Sequence, residues 1–348
     1  MQAHTFENIY NQLQDKESKY FFECRLLYFL TKDEKYISRM IEGIEEKSQL
    51  DLLVKKCCQI VEKLVIYGAG NDLRILADLY PEFQFRCICD RSKEKQRNGW
   101  RGIPVISPED LVKRKEDVVV AINTSGFHRE ILAFLRDNGF SENQIINLGE
   151  LTDSLYVKQY FDRDIMVSKE EGVFVDGGCF NCDTDEKFIE WCGGQYNKIY
   201  AFEPEKANYE QCLQICKKKN LQRIEILNKG LWSQTTTLSF AANLGQGSKI
   251  AEDGQDDVVE IETTSIDEVV GNEKVSMIKL DIEGAELEAL KGAKKTILRD
   301  RPRLAICIYH KPEDIVEILD FILSLHEDYK LYIRHYQMSK NETIVYAI

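Results

Sequence analysis

A chain of 348 residues is long enough for two ordinary domains and a smaller segment, and a composition of 43% hydrophobic and 30% charged residues is that of a folded globular protein. A formal charge of -13 argues against a nucleic-acid backbone as the main partner, since phosphate binding relies on clustered Lys and Arg, and favours a neutral or small-molecule substrate. The Met1–Tyr10 stretch has no basic start and no apolar core, and no run approaches the ~20 apolar residues of a membrane span, so a cytoplasmic location is expected.

Residues 1 to about 60 read as helices only. Phe6, Ile9, Tyr10 and Leu13 recur at helical spacing, as do Phe22, Leu26, Phe29 and Leu30, and then Leu50, Leu53, Val54, Cys57 and Val61. These faces are expected to pack on the rest of the chain or on a second copy, which allows a homodimer. At Lys63 the period changes. Strands are expected at Leu64–Tyr67, Phe85–Cys89, Val118–Ile122 and Gln144–Leu148, with helices at Leu73–Leu79 and Arg129–Asn138 between them. Such alternation predicts a parallel sheet over 61–150, and the polar Leu151–Asp164 reads as a connector.

A second alternation, expected to form a domain over 165–348, begins at Gly172. Its strands are Val173–Val175, Lys198–Phe202, Ile224–Leu227, Met277–Leu280 and Leu304–Tyr309. A hairpin-like insertion, Thr235–Phe240 and Val258–Glu262 around Gly245–Gly247, interrupts the winding, and an antiparallel pair, Lys330–His335 and Thr343–Ile348, closes it. The fold class is therefore α/β, with two Rossmann-like sheets behind a small helical segment.

Eleven cysteines in such a chain are expected to stay reduced. One spacing suggests metal: Cys179-Phe180-Asn181-Cys182. A structural zinc site needs two more ligands in a matching knuckle, and Cys57-Cys58 lies far off in a helical pattern. The pair is read as two small residues in a tight loop, with no metal.

Four motifs carry chemistry. The first is Val173-Phe-Val-Asp176-Gly177-Gly178-Cys179-Phe180, a buried strand ending on an acid and turning through two glycines into a helix near Asp183. Glycines admit a close backbone approach, and the Asp176 carboxylate can accept from a ligand's ammonium or from loop amides. A Gly-rich turn whose acid caps its own backbone is the plain alternative. The second is Ala201-Phe202-Glu203-Pro204, where Glu203 lies one βαβ step on and can take both hydroxyls of a ribose.

The third motif is Lys279-Leu280-Asp281-Ile282-Glu283-Gly284-Ala285-Glu286, whose alternation puts Lys279, Asp281 and Glu283 on one face of a buried strand end. Buried charges need partners, so the cluster has either a structural ion pair or a functional role. The fourth, the strand running into His310-Lys311-Pro312, places His310 on the ligand side of the sheet, although a lone histidine is more often structural.

The stretch from about Val173 to Ile348 resembles the FkbM-type methyltransferase family. The resemblance rests on VFVDGGCFNCDT, YAFEP, NKGLW, TTSIDEV, IKLDIEGAELEALKGA, IYHKPEDI and LYIRHY. It implies a class I methyltransferase fold, S-adenosylmethionine as methyl donor, and O-methylation of a sugar, glycan or other small metabolite. By the same resemblance Asp176, Gly178 and Glu203 match cofactor-binding positions, and Gly230-Leu231-Trp232 falls where the adenine is lined; their motif neighbours Gly177, Phe180 and Pro204, and Asp281, are further cofactor-binding candidates. Cys182 departs from the pattern, standing where many such loops have their last glycine. For a hydroxyl acceptor a base is needed. Asp281 is the first candidate, with Glu283 and His310 as rivals, and a divalent metal at the carboxylates is an alternative way to acidify the acceptor.

In the first sheet, Gly68-Ala69-Gly70 followed by Asp90 looks like a dinucleotide fingerprint, but Leu73 stands where its third glycine belongs. This region is similar to the Rossmann-like domains beside sugar-modifying transferases. Two rival readings follow: a nicotinamide-dependent oxidoreductase using this sheet, or a non-catalytic nucleotide-binding module.

Overall fold

The structure, a computed structural model, describes residues 3–167, 172–241 and 258–348. Its first sheet contains β1 (Leu64–Tyr67), β2 (Cys87–Cys89), β3 (Val105–Ile106), β4 (Val119–Ile122) and β5 (Ile145–Asn147). Their order is β3-β2-β1-β4-β5, every neighbour parallel. All four residues of β1 are buried, as expected of a central parallel strand covered on both faces. β3 is not among the expected strands, because at two residues it shows no period. Nor is the helix Pro108–Lys113 among the expected helices, although Ser107 caps it by accepting from Asp110 N and Pro108 fills its first position. The stretch 151–164 is not a connector throughout, because the helix Gly149–Lys158 occupies most of it. That helix buries only Gly149 and Leu155, so its polar remainder hides the helical period.

The second part contains β6 (Val173–Gly177), β7 (Lys198–Phe202), β8 (Ile224–Leu227), β9 (Gly230–Leu231), β10 (Thr236–Ala241), β11 (Val258–Thr264), β12 (Val275–Leu280), β13 (Arg303–Cys307), β14 (Leu331–His335) and β15 (Thr343–Ala347). Seven of them form one sheet in the order β14-β15-β13-β12-β6-β7-β8. The five strands from β13 to β8 are parallel, and β15 runs antiparallel to both β13 and β14. This is the winding expected from the alternation. The expected hairpin exists as the antiparallel β10–β11 pair, joined by β9 in a small sheet of its own. Gly245–Gly247, expected at its turn, lie outside the described residues.

Two compact units result: Ile37–Gln159 with Tyr336–Lys340, and Met1–Tyr36 with Tyr160–His335 and Asn341–Ile348. The helical segment read as one piece over 1–60 is thus divided between them. The reason lies in the helix Lys16–Thr31, which packs on the edge strand β14 of the second sheet. Phe21 is buried there beside His335 while Phe22 is buried beside Tyr10, Ser18 Oγ accepts from Ile333 N (3.0 Å), and Arg25 Nε donates to Thr343 Oγ1 (3.0 Å). Asp15 caps this helix through Ser18 N and also pairs with Arg334 at 2.7 Å. Edge strands expose unpaired backbone groups, and this helix covers that edge.

Candidate active site

In the seven-stranded sheet β12 and β7 flank β6, with Lys279 beside Asp176 and Gly177 beside Phe202 in register. The carboxyl ends of these three strands therefore meet, and the acids ending them converge. Asp176 is fully buried; Lys279, at 2% exposure, donates to its Oδ1 at 2.9 Å. The same ammonium donates to the carbonyls of Gly177 (3.1 Å) and Gly178 (2.8 Å) and lies over the Tyr160 ring. Burial works against the Lys279 charge, but Asp176 and Asp281 outweigh it and hold the amine firmly protonated. Asp176 Oδ2 has no hydrogen-bond partner among the described residues.

Gly178 adopts φ +80°, and a Cβ there would lie 2.0 Å from the Asp281 carbonyl oxygen. Glycine is therefore required by the neighbouring backbone itself, not only by close approach of a ligand as the motif suggests. Phe180 N donates to Glu203 Oε2 (3.1 Å) and Glu205 N to Glu203 Oε1 (2.9 Å). The Asn208 side chain also supports the ionised form of this carboxylate. Burial pushes the Glu203 carboxyl up to about 7, against the two backbone donors that favour its charge. Pro204 packs 4.0 Å from the Cβ position of Gly230, and Leu231 lies 2.9 Å from that of Gly177. Gly230, Leu231 and Pro204 are thus brought to the same end of the sheet. Trp232 continues from β9 with its N–H on the Thr264 carbonyl.

Beyond β12, Asp281 accepts from Tyr160 Oη (2.8 Å) and Tyr309 Oη (3.1 Å). Burial alone would raise this carboxyl, but Lys279, His310 and the two phenols lower it below the ordinary carboxylate value. The His310 ring has Asp281 at 3.5 Å, Glu283 at 3.4 Å and Glu286 at 3.0 Å, although none of these contacts is aligned as a hydrogen bond. Burial would lower its pKa; the carboxylates, Glu286 foremost, raise it to about 9. Asp281, Glu286 and His310 each offer an atom within 4.8 Å of the others, close enough to share a cation.

The sequence reading leaves several members of this cluster unnamed. Tyr160 and Tyr309 orient Asp281, and Asn228 donates to the Glu203 carbonyl at 2.9 Å, tying β8 to β7. Asp314 is buried, accepts from Lys311 N, and is pushed up to about 7 by burial and by Glu286. Asn228 opens the NKGLW string and Tyr309 precedes His310, so both sit within motifs already noticed. Tyr160 carries no such local signal. The cysteine pair is less isolated than its spacing suggests, because Cys212 and Cys216 from the helix Lys206–Lys219 reach it.

In the first sheet Gly68 has φ +115°, as its fingerprint requires. Asp90, however, is committed: its Oδ2 accepts from Ala69 N (2.8 Å) and pairs with Lys95, and its Oδ1 accepts from Ser92 N (2.8 Å). Leu73 is fully buried in the packing of its helix. A largely apolar hollow in this unit is lined by Leu50, Asp72, Ile75, Asn123, Leu155 and Tyr156 among others.

No curated protein matches the chain. Similar solved structures include a methyltransferase FkbM from Methylobacillus flagellatus KT, 17% identical over 87% of this chain and 99% of that one, with a TM-score of 0.49. An rRNA methylase from Streptococcus thermophilus is 18% identical over 52% of this chain and 88% of its own, with a TM-score of 0.34. Among the described residues no helix is long and apolar enough to cross a membrane. Residues 179–331, which supply Glu203, Asp281, Glu283 and His310, match the family described as the methyltransferase FkbM domain. The stretch 179–331 thus matches a methyltransferase FkbM domain, and that match makes the protein a methyltransferase.

Proposed function

We propose that this protein uses S-adenosylmethionine to methylate a hydroxyl of a sugar, glycan or other small metabolite. The observation that carries the reading is the pairing of Asp176 and Glu203 at the ends of adjacent parallel strands. The unpartnered Asp176 Oδ2 suits a cationic amino group, and the two Glu203 oxygens suit a ribose diol. Gly230, Leu231 and Trp232 would line the adenine beside Pro204. Bound there, the cofactor supplies a methyl group on a sulfonium with a good leaving group, so the protein's main task is orientation.

The protein must also accept a proton from the hydroxyl. His310 is a poor acceptor, since a pKa of about 9 leaves its ring already protonated at neutral pH. Asp281 is ionised and held by two phenols, which makes it the base in this reading; Glu283 is the alternative. His310 then steadies the carboxylates around it. The negative net charge is consistent with a neutral acceptor.

The experiment is calorimetry with S-adenosylmethionine, followed by labelled-methyl transfer to extracts with and without glycans. Glu203→Ala should weaken cofactor binding roughly ten- to a hundredfold, the range for losing a charge-assisted hydrogen bond. Unchanged affinity in a folded variant removes Glu203 from the site.

A further inference from the structure

Four cysteines meet beside the loop that follows β6, and none of them takes part in the chemistry above. Cys179 and Cys182 belong to the loop; Cys212 and Cys216 stand one turn apart on the helix Lys206–Lys219. The spacing is therefore C-x2-C followed by C-x3-C, the two knuckles of a four-thiol site. Cys179 and Cys212 sulfurs are 3.8 Å apart, and those of Cys182 and Cys216 are 3.7 Å apart. The Cys179, Cys182 and Cys212 sulfurs all lie within 4.8 Å of one another. With metal–sulfur bonds of about 2.3 Å, the edge of a sulfur tetrahedron is about 3.8 Å. Three of the four side chains are buried and Cys216 is half-buried.

A second observation points the same way. Asp185, in the first turn of the helix Asp183–Trp191, is fully buried and faces Cys182 and Cys216. Neither of its oxygens has a hydrogen-bond partner among the described residues. A buried polar group without a partner is costly, and neutral thiols are weak acceptors. The cluster therefore includes a buried carboxyl whose oxygens no described residue satisfies.

We infer that Cys179, Cys182, Cys212 and Cys216 bind a single thiophilic divalent ion, zinc by class, in a tetrahedral thiolate site. Binding releases the four thiol protons to solvent and involves no change of oxidation state. The site joins the loop bearing Gly178 and Phe180 to the helix that follows Glu203. Cys212 Sγ already donates to the Phe180 carbonyl at 3.1 Å across that junction. The ion would thus be structural and would fix the two elements between which the cofactor is proposed to lie.

The test uses the full chain, purified under reducing conditions without added metal. Elemental analysis should find about one zinc per chain. After stripping with a chelator, titration with Co2+ should produce a thiolate-to-cobalt charge-transfer band and tetrahedral visible bands that saturate near one equivalent. Added Zn2+ should abolish both. Cys182→Ser and Cys216→Ser should lose the tightly held ion, whereas Cys58→Ser, at an exposed cysteine, should keep it. If Cys182→Ser fails to fold by circular dichroism, the half-buried Cys216 variant and the wild-type metal content still decide. Metal-free protein that takes up neither ion overturns the inference. So do Cys179–Cys212 or Cys182–Cys216 disulfides found by mass spectrometry in place of metal. S-adenosylmethionine affinity is measured separately, so the two readings fail independently.

Discussion

Glu203 offers a test in which stability and binding move in opposite directions. Its carboxyl rises from an ordinary 4.5 to about 7 on burial. A group whose folded pKa is raised favours the folded state fully below the unfolded value and loses that contribution as pH climbs through the folded one. Between pH 4.5 and 7 the shift is worth about 3 kcal/mol, so above pH 7 the empty protein carries a buried charge that it lacks at pH 4. Glu203→Gln removes the titration. The amide can accept only one of the two backbone N–H bonds now received by Glu203, which costs about 1 kcal/mol at every pH. The variant should therefore match the wild type near pH 5 and be the more stable protein by about 2 kcal/mol near pH 8. A ribose diol, by contrast, needs the ionised acceptor. With a pKa of about 7 the ionised fraction rises from roughly one-tenth at pH 6 to nine-tenths at pH 8, so cofactor affinity should rise about tenfold across that span in the wild type and stay flat in the variant. Urea unfolding and calorimetry at pH 5, 6, 7 and 8 supply both profiles. Parallel stability profiles for the two proteins, with the same pH slope in binding, would refute the argument.

Three more outcomes are expected. Asp281→Asn should lower turnover by ~10²–10⁴-fold while leaving cofactor affinity largely intact, with Glu283→Gln and His310→Ala as comparisons and a chelator to detect metal assistance; near wild-type turnover in all three would falsify the base assignment. Lys279→Met should strand the buried Asp176 charge and release two loop carbonyls, costing about 3–5 kcal/mol in denaturant unfolding; an unshifted midpoint would mean that the pair is not holding the loop. Calorimetry should show weak or no NAD(H) binding, because Asp90 is occupied by Ala69, Ser92 and Lys95 and Leu73 fills its helix contact; a dissociation constant in the low-micromolar range would revive the oxidoreductase reading.

Much of this architecture is legible in the sequence because central parallel strands are covered on both faces and read as short apolar runs. Val173–Gly177 and Lys198–Phe202, both inside the sheet and buried almost throughout, are such runs, whereas Ile224–Leu227 is legible by its apolar residues although it forms the half-exposed edge. The acids Asp176, Glu203 and Asp281 stand out for the same reason, as charges at the ends of such runs. What escapes is either too short or too distant. A two-residue strand such as β3 has no period to detect, and the helix Gly149–Lys158 is mostly polar on its surface. Tyr160 meets Asp281 across 121 residues, and Cys212 meets Cys179 across 33, through folding alone. Local spacing therefore shows half of the cysteine cluster and makes it look inert.

The anchoring of the helix Lys16–Thr31 on the final hairpin also sets an order of events during synthesis. Arg25 and its partner Thr343 are separated by 318 residues, and Ser18 and Ile333 by 315. On a ribosome making about 5–20 residues per second, the early helix waits at least ~15 s for those partners. Meanwhile the stretch that builds the first sheet, continuous from Ile37 to Gln159, is already outside the exit tunnel and has all its strands. Phe21, whose ring lies beside His335, lacks that cover throughout that interval. A stall or stop codon after β13 would leave Phe21 without His335 for good and expose this helix to chaperones and proteases in a prematurely terminated chain.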